Sequence, residues 1–491
     1  MERSSMINSP RKSGINFFSG TRMSGKLAFN KFTVGTAVLA GGAMLAPCTQ
    51  ASFGNNAQTF GLSSTDVGSA QAFSGFNDGP SSVYYNPSLL AKGDQNQFVL
   101  GYFYADPQLT IKSNGGADPA PRSGGDDAGI DTNNTVQIGI RLNLNDTLIP
   151  DQPAGFGLMM GIDDKARTLM KIDDRVSKRG GQFARYGEKP LFLALGFGFE
   201  IVPGLAVGGG THITIKSSAP VQLDSELDGT TSNETIVVES RTDFAPLLSI
   251  HADFGQLGCS SNCTDSGTQA FLSFRGENDF KLDLEANATI PGTIEEPGLD
   301  LIVLALDSYQ PDIWATGVRI PLNDNYSVAL GVEYQRWSGL DHVLQDAKRN
   351  AVKDQANARF DDVVVPRIGL ELQDLNRLLG NSDAVKWRLQ MGYAYEQSAL
   401  RNGLTPDANL LDGDKHIFAL GSEWSFMHLW QFAHPFTVGL SYQYQMVRDT
   451  DFTISSTQWN STTQQYEVTP TESVTAGGDV HSVSLSVTSR F

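Results

Sequence analysis

The last twelve residues, VHSVSLSVTSRF, alternate Val483, Leu485 and Val487 with serine and threonine and then stop on Phe491. Strict period-two alternation describes a strand with one apolar and one polar face. The pattern recurs back along the chain, in TVQIGIRLNL (135–144), LFLALGFGFEI (191–201), DIWATGVRI (312–320), YSVALGVEYQRW (326–337), VKWRLQMGYAYEQ (385–397) and PFTVGLSYQYQM (435–446). Most runs are about 8 to 12 residues long, and a tilted strand crossing a bilayer needs about 9–11. Short polar turns such as 202–204 and 322–325 alternate with long polar stretches such as 217–242, 338–362 and 447–478. Short turns at one end and long loops at the other are the habit of outer-membrane barrels, whose strands turn apolar residues to lipid and polar residues to the lumen.

Aromatic residues reinforce this. Trp314, Trp337, Trp387, Trp424, Tyr393, Tyr395, Tyr442 and Tyr444 fall near strand ends, where interfacial girdles are expected. The runs number about 13 to 15, and bacterial single-chain barrels have even counts, so about 14 strands are predicted. Within lipid every backbone N–H and C=O must pair internally, so the sheet must close on itself. The fold class read from the pattern is therefore all-β: a closed antiparallel transmembrane barrel over 96–491.

The N-terminal region departs from this pattern. Arg22, Lys26 and Lys31 precede the apolar run FTVGTAVLAGGAMLA (32–46), and PCTQA follows. A basic region, a short apolar stretch and small residues at a cleavage site read as a secretory signal peptide over 1–51, with Met23 as an alternative start. Gly20, Gly25 and Lys26 fit half of a phosphate-binding loop, but Leu27 stands where Ser or Thr is needed and no strand precedes it. Residues 52–95 alternate poorly and carry Phe53, Phe60, Phe73, Phe76, Tyr84 and Tyr85. That is too aromatic for a disordered arm, so the segment is expected to plug the lumen as a hatch.

Composition narrows the function. Mean hydropathy is −0.21, and no run of about 18 apolar residues could cross a bilayer as a helix. The formal charge is −18; residues 1–51 hold six basic residues and one acidic, so their removal lowers it by five to −23. No cluster of Lys and Arg suits nucleic acid. The two cysteines beyond the leader, Cys259 and Cys263, sit in a polar C-x3-C loop and are read as a local disulfide rather than a metal site. There is no G-x-S-x-G or H-E-x-x-H, and the seven histidines are scattered, so no catalytic residue, metal or cofactor is assigned. LDLIVLAL (299–306) reads as a strand or as a loop helix lining an outer groove.

The segment DGPSSVYYNPSLLAKG (78–93) resembles the N-P hatch segment of the outer-membrane hydrophobic-compound transporters, the FadL/TodX-type family that includes long-chain fatty acid transport proteins. YFYADPQLTI (102–111) is similar to that family's first barrel strand. VEYQRWSGLD (332–341), and LQMGYAYEQSAL (389–400) with TPD (405–407), resemble later family segments. Ser88 replaces the usual alanine, and Pro80 a small residue. The resemblance implies a 14-stranded barrel closed by an N-terminal hatch, with ligand leaving laterally into the membrane. It implies ligand-contact or gating roles for Asn86 and Pro87 in the N-P pair, and for Phe53 near the mature N-terminus. Phe60 is added as a hatch aromatic facing ligand. The expected partners are fatty acid-like hydrophobic small molecules, outer-membrane lipid and lipopolysaccharide, and the barrel-assembly machinery reading Phe491. The protein is expected to be a monomer in the outer membrane of a Gram-negative bacterium. The competing reading is a general porin or structural surface barrel, which would show a row of Arg and Lys at a constriction.

Overall fold

The structure is a computed structural model, and it describes residues 52–53, 55–120, 125–145, 152–163, 181–183, 191–218, 221–225, 231–236, 239–257, 267–290, 294–340, 360–375, 385–400, 409–427, 435–460 and 465–491. The leader expected over 1–51 and the Cys259–Cys263 pair lie outside the described residues.

One sheet contains nineteen strands, and a subset of them closes into a ring. In chain order the ring strands are β1 (Gln97–Gly115), β2 (Asn133–Asn143), β3 (Ala154–Asp163), β4 (Phe192–Val202), β5 (Leu205–Ser218), β6 (Glu239–Asp253) and β7 (Gln269–Arg275). They continue as β8 (Asp312–Pro321), β9 (Tyr326–Arg336), β10 (Val363–Leu372), β11 (Val385–Glu396), β12 (Lys415–Phe426), β13 (Phe436–Asn460) and β14 (Gln465–Arg490). Each pairs antiparallel with the next, and β14 returns to β1 with Gln97 opposite Arg490, so the barrel has 14 strands and no free edge. The even count brings the start of β1 and the end of β14 to the same end as the tight turns 203–204 and 322–325, which is the periplasmic end of an outer-membrane barrel.

The outward parity is mainly apolar. Val483 and Leu485 are 39% and 45% exposed, whereas the alternate residues Ser482 and Ser484 are fully buried. The closing strand thus turns its apolar face to lipid, as its alternation predicts. Among the predicted girdle aromatics Trp314, Tyr442 and the stacked pair Trp387–Trp424 belong to the outward parity. Trp337 does not. It is 1% exposed and lies inside the barrel, because it follows β9 on the inward parity, two residues beyond the buried Gln335.

The long-loop end is more ordered than the sequence suggests. The described residues of 447–478 are strand: β13 and β14 run on to 25 and 26 residues as a ribbon projecting past the barrel. LDLIVLAL takes the strand alternative, on Ile294–Gln310, which pairs with Asn278–Ile290 as a hairpin inserted between β7 and β8. Ser52–Phe53 adds to that hairpin in parallel, opposite Ser308–Tyr309.

Residues 55–91 lie within the ring and are almost wholly buried. They form three short helices, α1 (Asn56–Thr59), α2 (Ser64–Gly68) and α3 (Ser82–Tyr85), and two 3-10 turns, Ser74–Phe76 and Pro87–Ala91. Helices this short are unstable alone. They are held by caps: Asn55 accepts from the Gln58 N–H, and Ser63 from the Asp66 N–H. The glycines common on one strand parity explain the fit. A Cβ at Gly155 would stand 2.0 Å from the Leu90 carbonyl oxygen, one at Gly208 2.2 Å from the Ser88 nitrogen, and one at Gly392 1.8 Å from the Ser69 carbonyl oxygen. The wall is thinned to bare backbone where the segment's own backbone leans on it.

Candidate functional site: the two halves of the lumen

The inward parity changes character along the barrel axis. Nearer the periplasm it is polar, with Ser441 and Gln443 on β13 and Ser482, Ser484 and Ser486 on β14. Toward the outside the same parity becomes Phe103, Leu109 and Ile111 on β1, Val447, Phe452 and Ile454 on β13, and Val474 and Val480 on β14. These join Trp337, Phe360, Leu410 and Leu411 in one buried apolar cluster, roofed by residues that follow or precede the outer strand ends. The alternation rule for water-filled barrels, apolar out and polar in, fails in this half of the lumen.

The N-terminal segment forms the floor of the apolar half. Phe60, Val67 and Ala70 belong to the cluster, and the Phe60 ring lies 4.9 Å from that of Phe103. Wall side chains grip the segment mostly by its carbonyls. Gln443 Nε2 donates to the Phe60 and Val67 carbonyls at 3.2 Å each, and Gln445 Nε2 to that of Thr59 at 2.9 Å. Asn55 Nδ2 donates to Gln310 at 2.6 Å, and Gln58 Nε2 to Gln335 at 3.2 Å. The carbonyl bonds pair buried backbone groups in a region with little regular structure of its own.

A charged network supports the floor. Glu333 on β9 accepts from Arg275 on β7 at 2.6 Å and from Arg367 on β10 at 3.0 Å. Arg367 also donates to the Ala70 carbonyl at 2.8 Å. The Arg275 guanidinium lies 5.0 Å from the Tyr84 ring centroid and 5.5 Å from that of Tyr85. Burial pushes the Tyr84 hydroxyl up to about 12 and raises Tyr85 as well, so both stay neutral beside this charge. Asp66 in α2 is fully buried, and burial raises its pKa against the lowering effect of its hydrogen bond from Ser63. Nearer the periplasm Arg319 pairs with Glu371 at 2.6 Å, and Arg388 pairs with Glu371 and Glu423. These pairs edge a polar cavity of about 290 Å³ bounded by Thr65, Asn77, Asp78 and Lys92.

The residues singled out from sequence are dispersed. Phe60 sits under the apolar cluster, but Asn86 and Pro87 face β4–β6 instead. Asn86 is fully buried and works within the segment: its Nδ2 donates to the Gly75 carbonyl at 2.7 Å, and its Oδ1 accepts from Ser88 Oγ at 2.5 Å. Pro87 opens the second 3-10 turn, where its missing N–H costs nothing. Phe53 has its backbone in the small strand beside Ser308–Tyr309.

Residues 264–491 match the model of a family described as outer membrane protein transport protein (OMPP1/FadL/TodX). Alkane uptake protein A of Marinobacter nauticus is 30% identical over 470 residues, spanning 94% of this chain and 97% of that protein. The chain belongs to the OMPP1/FadL/TodX family. This family member is thus an outer-membrane transport protein. Among solved structures, a Pseudomonas aeruginosa FadL homologue aligns at 15% identity over 87% of this chain and 98% of its own, with a TM-score of 0.49. The Pseudomonas putida toluene transporter TodX aligns at 12% identity over 84% and 94%, with a TM-score of 0.41.

The interior ion pairs of this OMPP1/FadL/TodX member were not anticipated from the sequence. The signal lay in parity. Glu333, Arg367, Glu371 and Arg388 occupy inward positions of GVEYQR, VVVPRIGLEL and VKWRLQ, where their neighbours at ±2, Val365 apart, are small or polar.

Proposed function

We propose that the protein carries hydrophobic compounds, hydrocarbons or fatty acid-like chains, across the outer membrane by passive diffusion, with residues 52–95 as a hatch and lateral discharge into the bilayer. The observation that carries this reading is the divided lumen: an outer half filled by a buried apolar cluster, with Lys415 ion-paired to Glu396 and Asp412 at the outer strand ends, standing on an ion-paired polar floor. Returning a chain of about 14 CH₂ groups to water would forfeit on the order of 11 kcal/mol of favourable burial, at about 0.8 kcal/mol each. A greasy solute therefore gains by entering the outer half, yet loses by crossing the charged periplasmic half. That asymmetry favours an exit through the wall into lipid. It also speaks against the porin reading, because a polar solute gains nothing from the apolar half, and the interior arginines named above are engaged with carboxylates. The relationship to an alkane uptake protein supports hydrocarbons as one substrate class.

In this reading Phe60 meets the ligand directly, Phe53 keeps its expected gating role, and Asn86–Pro87 keeps the hatch in shape. No chemistry is performed on the ligand and no cofactor is needed. The exposed Phe491 ends the strand offered to the assembly machinery. The test is uptake of labelled hexadecane, hexadecanoate and toluene by cells with the gene deleted and restored. Uptake of all three that is indifferent to the protein, with permeability to small polar solutes falling on deletion, would favour the porin reading.

A further inference from the structure

Four non-glycine residues among those described have positive φ, and two of them are adjacent: Ala70 at 49° and Gln71 at 63°. Left-handed backbone is costly for residues with a Cβ and persists only where the surroundings impose it. Here the surroundings can be named. The Ala70 carbonyl is held by Arg367 Nη1 at 2.8 Å, the Gln71 N–H donates to the Asp66 carbonyl at 2.8 Å, and Gln71 Nε2 donates to the Gln58 carbonyl at 2.8 Å. On either side of the turn the segment is seated on bare wall, Ser69 against Gly392 and Phe73 against Gly369.

The position of the turn matters as much as its strain. Ala70 is part of the apolar cluster, and Thr65 and Phe73 line the 290 Å³ polar cavity on the other side. A separate cavity of about 20 Å³ lies behind the turn, bordered by Gln71, Ala72, Ser74, Arg275, Glu333 and Arg367. The turn is therefore a thin, strained partition with polar-lined space at its back.

Resting on the transport reading above, we infer that the Ala70–Gln71 turn is the moving part of the hatch, that its withdrawal unseats Ser69 and Phe73 from the Gly392 and Gly369 wall so that ligand leaves sideways rather than through the polar half, and that Arg367 is the positioning residue that holds it shut. Arg367 suits this because its two terminal nitrogens serve different partners. Nη1 can release the Ala70 carbonyl while Nη2 stays on Glu333, so opening leaves no buried charge without a counter-charge. Opening gives up the Arg367 bond to the Ala70 carbonyl and strains the two Gln71 bonds, and relief of two left-handed residues offsets part of that loss. A ligand filling the apolar half presses on the Ala70 side of this balance.

The experiment uses the full-length protein, reading open-channel frequency in planar bilayers with potassium chloride and labelled hexadecane uptake in cells. Ala70→Gly removes one residue's left-handed penalty and favours the closed turn. Openings and uptake should both fall, on the order of fivefold, while thermal stability holds or rises. Arg367→Gln removes the hold and should raise opening frequency, with Arg367→Lys falling between it and the wild type. A purely structural role would instead make stability and uptake move together. The inference is overturned if Ala70→Gly leaves opening frequency unchanged or raises it, or if both variants shift it in the same direction. Should Arg367→Gln fail to assemble, Ala70→Gly alone decides. Hexadecane uptake that ignores the protein altogether sinks the transport reading, and the bilayer recordings still decide the latch.

Discussion

Replacing Gly392 by alanine is the sharpest test of how the N-terminal segment is seated. The added Cβ would stand 1.8 Å from the Ser69 carbonyl oxygen, 2.1 Å from its carbon and 2.8 Å from the Ala70 nitrogen. All three are backbone atoms, so no rotamer change relieves the clash. An ordinary contact begins near 3.4 Å, so the segment must withdraw by about 1.6 Å, or β11 must bend by as much. Overpacking of this kind costs about 1–3 kcal/mol. Withdrawal also stretches the Arg367 bond to the neighbouring Ala70 carbonyl, and a hydrogen bond to a charged group is worth about 1.5–3 kcal/mol. A combined loss of about 3 kcal/mol would make the undocked segment about a hundred times more populated. The assay is amide hydrogen exchange over residues 55–91 in detergent, with strand amides as the internal reference. Gly331→Ala on β9 is the control, because its Cβ would meet nothing nearer than 3.6 Å and should change docking by less than about 0.5 kcal/mol. If Gly392→Ala protects the segment as the wild type does, or Gly331→Ala exposes it equally, the seating argument is wrong.

Other outcomes follow from the same geometry. Asp66 has a folded-state pKa above its ordinary value of 3.8, so its contribution is fully present below that value and is lost as pH rises through the raised one. Asp66→Asn should therefore flatten the pH dependence of segment protection and raise protection near neutrality; a slope identical to the wild type would refute this. Trp337→Ala should lower stability by about 3–5 kcal/mol, as for a buried core aromatic, and impair hydrophobic uptake. A loss under 1 kcal/mol in denaturant titration would return Trp337 to the girdle. Leu485→Arg places a charge on the lipid face and should cost up to about 2–4 kcal/mol in refolding into vesicles, depending on its depth.

Much of the barrel was legible because period-two alternation is a local signal that survives without context. VHSVSLSV announces its lipid face, and the tight turns 203–204 and 322–325 announce the periplasmic end. What alternation cannot show is the chemistry of the inner face, since that depends on what occupies the lumen at each height. Trp337 looked like a girdle residue because it ends a strand; only its parity relative to Gln335 sends it inside. The 447–478 stretch looked like a loop because its alternation is interrupted, at the register shift between Val447 and Thr450 and again between Ile454 and Ser455. The segment 52–95 gave away its aromatic content but not its contacts, which join residues hundreds of positions apart, such as Gln445 to Thr59. Arg275, Glu333 and Arg367 come from three separate strands, and no spacing rule connects them.

The seam between β1 and β14 carries one more implication. The first and last staves of the cask are neighbours, so the hoop cannot be tightened until the final stretch of polypeptide has arrived. By then the residues preceding β1 have long been made. Residues 55–91 are therefore on hand while the wall is still open, so the vessel can be coopered around them.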